Sequence, residues 1–479
     1  MSEYTPLDLY IGGEWRQGSG GHGEDVINPA TGETIGRLPH ASVEDLDAAL
    51  ASAESGFQIW RKTSPADRSR IIRKAAELMR ENASTIARVC VMEEGKPFGQ
   101  AMWEVMFTAE RMEWVAEEAK RVYGQVLPVG AHGERRSIIY EPVGPSVGLS
   151  PWNLPIMMPG TKIAFALAAG CSMIVKPAEE TPGTGVLIVK MFEQAGLPKG
   201  VLNLVYGAPA EVSSHLIASP ITRKVSFTGS VPVGKLLYRQ CADTLKKCTL
   251  ELGGHSPVVV FDDVDVDKVT SIGVMGKYSN AGQMCVAPTR FFVHERIADS
   301  FIERFTEKSK ALKIGNGLDS STEMGPMANP RRIEAMEQLV ADARDKGANI
   351  TTGGNRIGNQ GYFWEPTVLA DVPGNARMMT EEPFGPVAII NRWSNLDDVV
   401  AESNALPFGL GSYVYTRSQK WAAEMTDRLE AGMIGINTAH VGGVDAPFGG
   451  IKESGIGREA GQEGLKEYLE SKIITQVLM

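Results

Sequence analysis

Between Pro145 and Gly254 short apolar runs alternate with helical spacing, and this alternation limits the fold more than any other feature of the chain. The runs Ser146–Leu149, Met173–Val175, Val201–Val205, Val225–Phe227 and Thr249–Leu252 have the length of strands buried on both faces. Helical patterns at Gly160–Ala169, Thr184–Ala195 and Val233–Ala242 separate several of them. Strand, helix, strand predicts a parallel sheet with covering helices. Such sheets bind ligands outside the carboxyl ends of their strands, so the residues just after each run are where chemistry belongs. A second alternating block, from Pro257 to about Asn437, predicts another α/β unit.

Before the first block the chain reads as mainly helical. Ser42 caps a pattern that runs Val43, Leu46, Ala49, Leu50, Ala53, Phe57. Ser64 and Pro65 start a second helical region that ends near Gly95 and Pro97. Then "YGQVLPVG" and "RRSIIYEPVG", separated by a turn at 130–133, predict a β-hairpin whose open edges suit an arm for self-association or an ordinary surface hairpin. The 479 residues leave room for about three structural units.

Composition narrows the function. The 58 Asp and Glu outnumber the 48 Lys and Arg, a net charge of -10 that opposes attraction to nucleic-acid backbones. The N-terminus lacks the basic-then-apolar layout of a signal peptide, and the longest apolar stretch, 163–175, is too short to span a bilayer. Five cysteines without CxxC spacing indicate neither a disulfide framework nor structural zinc, so a cytoplasmic protein without a bound metal is expected.

Several residues fall where chemistry belongs. Cys285 sits in the loop "SNAGQMCVAP", whereas Cys90 and Cys171 sit in apolar settings. Glu251 ends an apolar strand just before Gly253 and Gly254; a solvated carboxylate there is inert, whereas a buried one gains a raised pKa and can take a proton. Asn153, held between Pro151 and Pro155, is either a turn residue or a neutral donor for an oxygen acquiring charge. Gly229 and Ser230 join a strand to a helix start that can cradle a phosphate, and the absence of a Walker ending disfavours ATP. Lys176 and Glu179 follow another strand, where a carboxylate can accept ribose hydroxyls. Glu382 and Phe384 could position a ribose and a flat ring, and Phe448 could wall a pocket.

Taken in order, "PWNLP", "KPAEETP", "FTGS", "LELGGHSP", "NAGQMC", "EEPFGPV" and "PFGGIKESGIGRE" resemble the aldehyde dehydrogenase superfamily over nearly the whole chain. The resemblance implies an α/β fold with a Rossmann-like NAD(P) domain (1–119 and 142–252), a catalytic domain (253–453) and a small β oligomerisation arm (120–141 and 454–479). It implies homodimers or homotetramers. By the same resemblance Cys285 is the nucleophile, Glu251 the general base, and Asn153 with the Cys285 N–H the oxyanion hole. Trp152, Lys176, Glu179, Gly229, Ser230, Gly253, Glu382 and Phe384 match cofactor positions. Having Glu251 argues for hydrolysis of the thioester rather than transfer to coenzyme A. Glu179 favours NAD over NADP, without excluding NADP, because its charge repels a 2′-phosphate.

The C-terminal motif is similar to the succinate-semialdehyde branch, which clamps a carboxylate with two arginines and a serine; the matching positions here are Thr161, Ser279 and Gly442. Leu154, Met157, Met158, Thr161, Met284 and Phe448 would line an apolar entrance, so the expected substrate is a neutral hydrophobic or aromatic aldehyde. The competing readings are a semialdehyde dehydrogenase using groups such as Arg290 or His440, a non-catalytic protein that kept the fold, and a cysteine hydrolase without nicotinamide. His255 and His440 have no assigned role.

Overall fold

The computed structural model describes residues 4–130 and 133–477. Its largest sheet has five central parallel strands in the order Leu202–Leu204, Met173–Lys176, Ser146–Leu149, Lys224–Gly229, Lys247–Leu252. All but the outermost residues of these strands are buried, which is why they read as continuous apolar runs without alternation. The order of winding reverses between Ser146–Leu149 and Lys224–Gly229, opening a crevice at their carboxyl ends. The antiparallel pair Leu9–Ile11 and Glu14–Arg16 closes one edge and Gly455–Ile456 the other.

Helix Met157–Ala169 is mostly apolar, with Thr161 and Lys162 as exceptions, and buried at every residue, as expected of a helix sandwiched between a sheet and further helices. Val43–Trp60 carries a reciprocal cap, with Ser42 and Asp45 each accepting the other's backbone N–H. Pro65–Glu81 is capped by Ser64, and the helical region continues through Ala83–Glu94 to a left-handed Gly95. A further helix, Phe98–Glu118, lies across Met157–Ala169.

The second block forms its own sheet and core. Its order is Asn349–Thr352, Thr367–Ala370, Val387–Trp393, Arg290–His294, Pro257–Val260, Gly411–Tyr415, Met433–Ile436, parallel except for the first strand. The expected hairpin is present: Gln125–Val126 pairs antiparallel with Arg135–Pro142. Residues 131 and 132 of its turn lie outside the described residues, as do 1–3 and 478–479. The partner on its other side is the chain's own Leu469–Gln476, paired over eight residues. The segment after 453 therefore divides, with Gly455–Ile456 in the large sheet, Gly461–Lys466 packed on Met157–Ala169, and only the last strand in the three-stranded sheet.

The front of the chain departs from the helical expectation before residue 40, where Leu9–Ile11, Glu14–Arg16, Gly23–Ile27 and Thr34–Pro39 are strands. They are three to six residues long, too short for a period to register. The helix Pro209–Ala218 was also hidden, inside a stretch rich in small and turn-forming residues.

Gly56 shows how tightly the helices seat on the sheet. A Cβ there would lie 2.3 Å from the Gly200 carbonyl carbon, where the chain enters the strand Leu202–Leu204. Alanine in a helix interior ordinarily gains about 0.5–1 kcal/mol over glycine. At Gly56 the sign reverses: Gly56→Ala is expected to destabilise by about 1–3 kcal/mol through overpacking, read as a lowered urea midpoint.

Candidate active site

The carboxyl ends of four adjacent strands bring the expected residues to one edge of the sheet. Register places Leu149 beside Lys176 and Phe227, Thr228 beside Glu251, and Gly229 beside Leu252. The chain leaving Ser146–Leu149 carries Trp152 and Asn153, and it is fixed from below by a buried ion pair. Lys96 Nζ donates to Glu104 Oε2 at 2.6 Å and to the Asn153 carbonyl at 2.8 Å. Glu104 Oε1 accepts the N–H groups of Ile156 and Met157 at 2.8 and 2.9 Å, capping the helix that follows. Burial alone would lower the Lys96 amine, but the carboxylates of Glu104 and Glu94 overcome it and hold the amine above its ordinary value.

Asn280 ties the cysteine loop to the same point, its Nδ2 donating to the Asn153 carbonyl at 2.9 Å. Asn280, Ala281 and Gly282 are left-handed in succession, with φ of 51°, 52° and 73°. At Gly282 any side chain would strike the Gly385 carbonyl oxygen, 2.2 Å from a Cβ. The Asn153 amide donates to the Gln283 carbonyl at 3.0 Å, two residues before Cys285. Cys285 is half-buried, whereas the other four cysteines are buried; all five are free. Burial first, then the carboxylates of Glu382 and Glu251, push its thiol up, and the N–H groups of Cys285 and Val286 pull the other way.

Glu251 is buried, 2% exposed, and neither carboxyl oxygen makes a hydrogen bond of ordinary geometry. Burial, then the charge of Glu459, raise its pKa well above the carboxylate range, opposed by Lys162 and Arg458. Lys162 forms a buried ion pair with Glu459 and donates to Thr228 Oγ1 at 2.7 Å; Ser226 donates to Glu459 at 2.9 Å. An unpaired buried carboxyl group with a raised pKa holds a proton more tightly than an ordinary carboxylate does. Lys96, Glu104, Asn280, Lys162 and Glu459 were missed in the sequence. The one available signal was charge inside apolar helical patterns, as at Lys162 in Met157–Ala169.

Glu382 accepts the Gly254 N–H at 3.3 Å, and burial pushes its pKa up to about 7. A Cβ on Gly253 would come within 2.5 Å of its carboxylate, so the bare backbone there is what admits Glu382. Trp152 and Phe384 meet edge to face at 5.6 Å, with Phe384 in the left-handed region at φ 43°. Trp152, Asn153, Glu251, Gly253, Cys285, Glu382 and Phe384 thus form one cluster. Lys176 and Glu179 form an ion pair with each other at the next strand end. Gly229 closes its strand, and Ser230 caps helix Val231–Ala242 with a hydroxyl the helix does not use.

Of the expected pocket residues, Met157, Met158 and Thr161 are buried, and Leu154, Met284 and Phe448 are half-buried. Thr161, Ser279 and Gly442 supply no cation, but one missed in the sequence lies beside them: the buried Arg111, from helix Phe98–Glu118, reaches Thr161 Oγ1 with Nη1 at 3.4 Å. Arg290 is no candidate for holding a carboxylate, since Nε, Nη1 and Nη2 donate to the carbonyls of His255, Glu402 and Ser403. His255 is structural; it bridges Thr289 Oγ1 and the Met378 carbonyl at 2.8 Å each, and burial lowers its pKa to about 3. His440 is exposed.

Residues 15–474 match the sequence profile of the aldehyde dehydrogenase family. The chain belongs to that family. It is 43% identical to a putative 4-(hydroxymethyl)benzenesulfonate dehydrogenase of Comamonas testosteroni over 99% of each chain. It is 40% identical to the NADP-dependent succinate-semialdehyde dehydrogenase of Escherichia coli over 96% of each. Among solved structures it resembles an NADP-dependent enzyme of E. coli at a TM-score of 0.98 and 39% identity, covering 100% of this chain and 99% of the other. A betaine aldehyde dehydrogenase of Staphylococcus aureus in complex with NAD⁺ matches at 0.96 and 33%, covering 98% and 94%.

Aldehyde dehydrogenases of this family depend on NAD(P). The strand ends here suit a dinucleotide: a helix start with an uncommitted Ser230 hydroxyl, and the half-buried Glu382 and Glu179 carboxylates for hydroxyl groups. No helix among the described residues is long and apolar enough to cross a membrane.

The pair under Asn153 gives a direct test of the frame. Lys96→Met leaves Glu104 and Glu94 buried without their cation, and is expected to cost about 3–5 kcal/mol in chemical denaturation. An unchanged midpoint would show that the pair does not hold the loop.

Proposed function

We propose that this aldehyde dehydrogenase oxidises an aldehyde with a hydrophobic or aromatic body to its carboxylic acid, by covalent catalysis at Cys285. What carries the reading is the convergence of a half-buried thiol with an unpaired buried carboxyl, Glu251, at the carboxyl ends of the sheet. The Cys285 thiolate adds to the carbonyl carbon, and the new oxyanion meets the Asn153 amide and the Cys285 N–H. When bound, the oxidised dinucleotide supplies the hydride acceptor. Loss of hydride from the carbon leaves a thioester on Cys285. Glu251 takes a proton from water, the hydroxide attacks the thioester, and the acid leaves as the thiol is restored.

Trp152, Lys176, Glu179, Gly229, Ser230, Gly253, Glu382 and Phe384 would hold the dinucleotide, with Glu179 preferring NAD. The Lys176 ion pair tempers that preference, since the amine partly neutralises the charge that would repel a 2′-phosphate. Leu154, Met157, Met158, Met284 and Phe448 would enclose the aldehyde, consistent with a relative named for an aromatic alcohol. The three-stranded sheet would serve assembly into dimers or tetramers, for Leu469–Gln476 presents an open edge with Ile473 and Ile474 exposed. Five free cysteines fit a reducing cytoplasm.

Cys285→Ala is expected to abolish cofactor reduction, and Glu251→Gln to slow acid release by about 10²–10⁴-fold while leaving a trapped acyl group on residue 285, seen by mass spectrometry. Because burial and Glu459 raise the Glu251 carboxyl, it is protonated and inactive as a base at low pH. Acid release should therefore rise with pH through that raised value, and Glu251→Gln should remove the rise. An adduct at any other residue refutes the assignment. For the cofactor, Glu179→Gln is expected to raise the NADP-to-NAD ratio of kcat/KM by about tenfold, by deleting a charge beside the 2′ position.

A further inference from the structure

Arg111 is the least explained charge beside the proposed pocket. It is 4% exposed, on helix Phe98–Glu118, with its guanidinium over the Phe107 ring at 4.7 Å. Nη1 lies 3.4 Å from Thr161 Oγ1, a long contact, and Nη2 donates to the Gly443 carbonyl at 3.1 Å in the loop that leads to Phe448. Nε is buried without a partner. Among the described residues no carboxylate forms an ion pair with Arg111. Glu459 lies within electrostatic reach, but its Oε1 already accepts from Lys162 and Ser226. Asp445, on the Gly443 loop, is exposed. Burial lowers the Arg111 pKa to about 10, so the group stays charged at neutral pH.

Of the other buried cations near the site, Lys277 Nζ has, among the described residues, no hydrogen-bond partner and only Glu382 within electrostatic reach, whereas three are paired with a carboxylate. Lys96 faces Glu104, Lys162 faces Glu459, and Lys176 faces Glu179. A guanidinium taken out of water costs several kcal/mol unless an anion or a full set of acceptors replaces the water. Arg290 has such a set; Arg111 does not. What Arg111 has instead is a place between Thr161 and the loop leading to Phe448, the two residues expected to line the pocket on that side, with a fork of donors suited to a planar or tetrahedral oxyanion.

We infer that Arg111 receives an oxyanion, a carboxylate or a sulfonate, carried by the aldehyde at the end remote from its carbonyl. The inference rests on the proposed function and refines its substrate class: an apolar body gripped by the methionines and Phe448, with a negative charge that supplies the counter-ion Arg111 lacks. The Thr161 hydroxyl, 3.4 Å away, is placed to add a neutral donor.

The test compares benzaldehyde, 4-formylbenzoate, 4-formylbenzenesulfonate and succinate semialdehyde, following reduced cofactor. At least one anionic aldehyde should exceed benzaldehyde in kcat/KM by about tenfold or more, through KM, and the arms separate carboxylate from sulfonate. Arg111→Met should raise KM for that aldehyde about tenfold or more beyond any change it causes for benzaldehyde, with kcat for the anionic aldehyde nearly unchanged, and be partly rescued by Arg111→Lys. Equal losses for charged and neutral aldehydes would assign Arg111 a structural role and overturn the inference. So would equal kcat/KM for all four in the wild type.

A turnover-independent measurement keeps the two readings apart. Calorimetric titration of the wild-type enzyme with 4-toluenesulfonate and benzoate should show saturable binding that the neutral 4-methylbenzamide does not share. Absence of that binding overturns the Arg111 inference even where benzaldehyde is oxidised. Anion binding without oxidation of any aldehyde would overturn the proposed function and leave the anion site standing.

Discussion

The buried pair of Lys96 and Glu104 is the constraint on which the rest of the site depends. One carboxylate caps the helix beginning at Met157, and one ammonium holds the carbonyl of Asn153. Asn280 fastens the cysteine loop to that same carbonyl. Three segments distant in sequence are thus fixed to a single oxygen, and the Asn153 side chain is left facing the backbone that leads to Cys285. In a medium of low dielectric such an arrangement is stiff, because every displacement exposes an uncompensated charge. Preorganised donors of this kind are what an oxyanion-stabilising site needs.

Burial then sets the chemistry of the groups held there. Glu251, Glu382 and the Cys285 thiol are all raised first by burial, and the two carboxylates add their charge to the thiol's shift. A buried carboxyl group with no hydrogen bond of ordinary geometry would be a defect in an ordinary core; beside a thiol it suits the role of a base proposed for it. Arg111 and Lys162 extend the pattern on the far side of Thr161 and Thr228, one without an anionic partner and one with it.

Much of this was legible in the chain. Strands buried on both faces announce themselves as unbroken apolar runs, so the strands of the first sheet could be placed and the second block read as α/β, and the residues singled out after the runs do lie at strand ends. The capped helices from Ser42 and Ser64 and the hairpin at 125–142 were equally plain. The short strands before residue 40 and the helix Pro209–Ala218 were not, because too few residues repeat for a period to emerge. His255 looked unassigned and is explained by two hydrogen bonds to distant residues.

The sequence by itself determined the α/β class, the two sheet-forming blocks and the residues lying at strand ends, since these depend on local periodicity and on motifs along the chain. Tertiary structure alone decided which charges share a buried space. Lys96 meets Asn153 across 57 positions, Glu459 meets Lys162 across 297, and Arg111 reaches Gly443 across 332. A single side chain carries no mark of its burial or its counter-ion, because electrostatic energy is set by distance and dielectric, and both exist only once the sheet and its helices have closed around it.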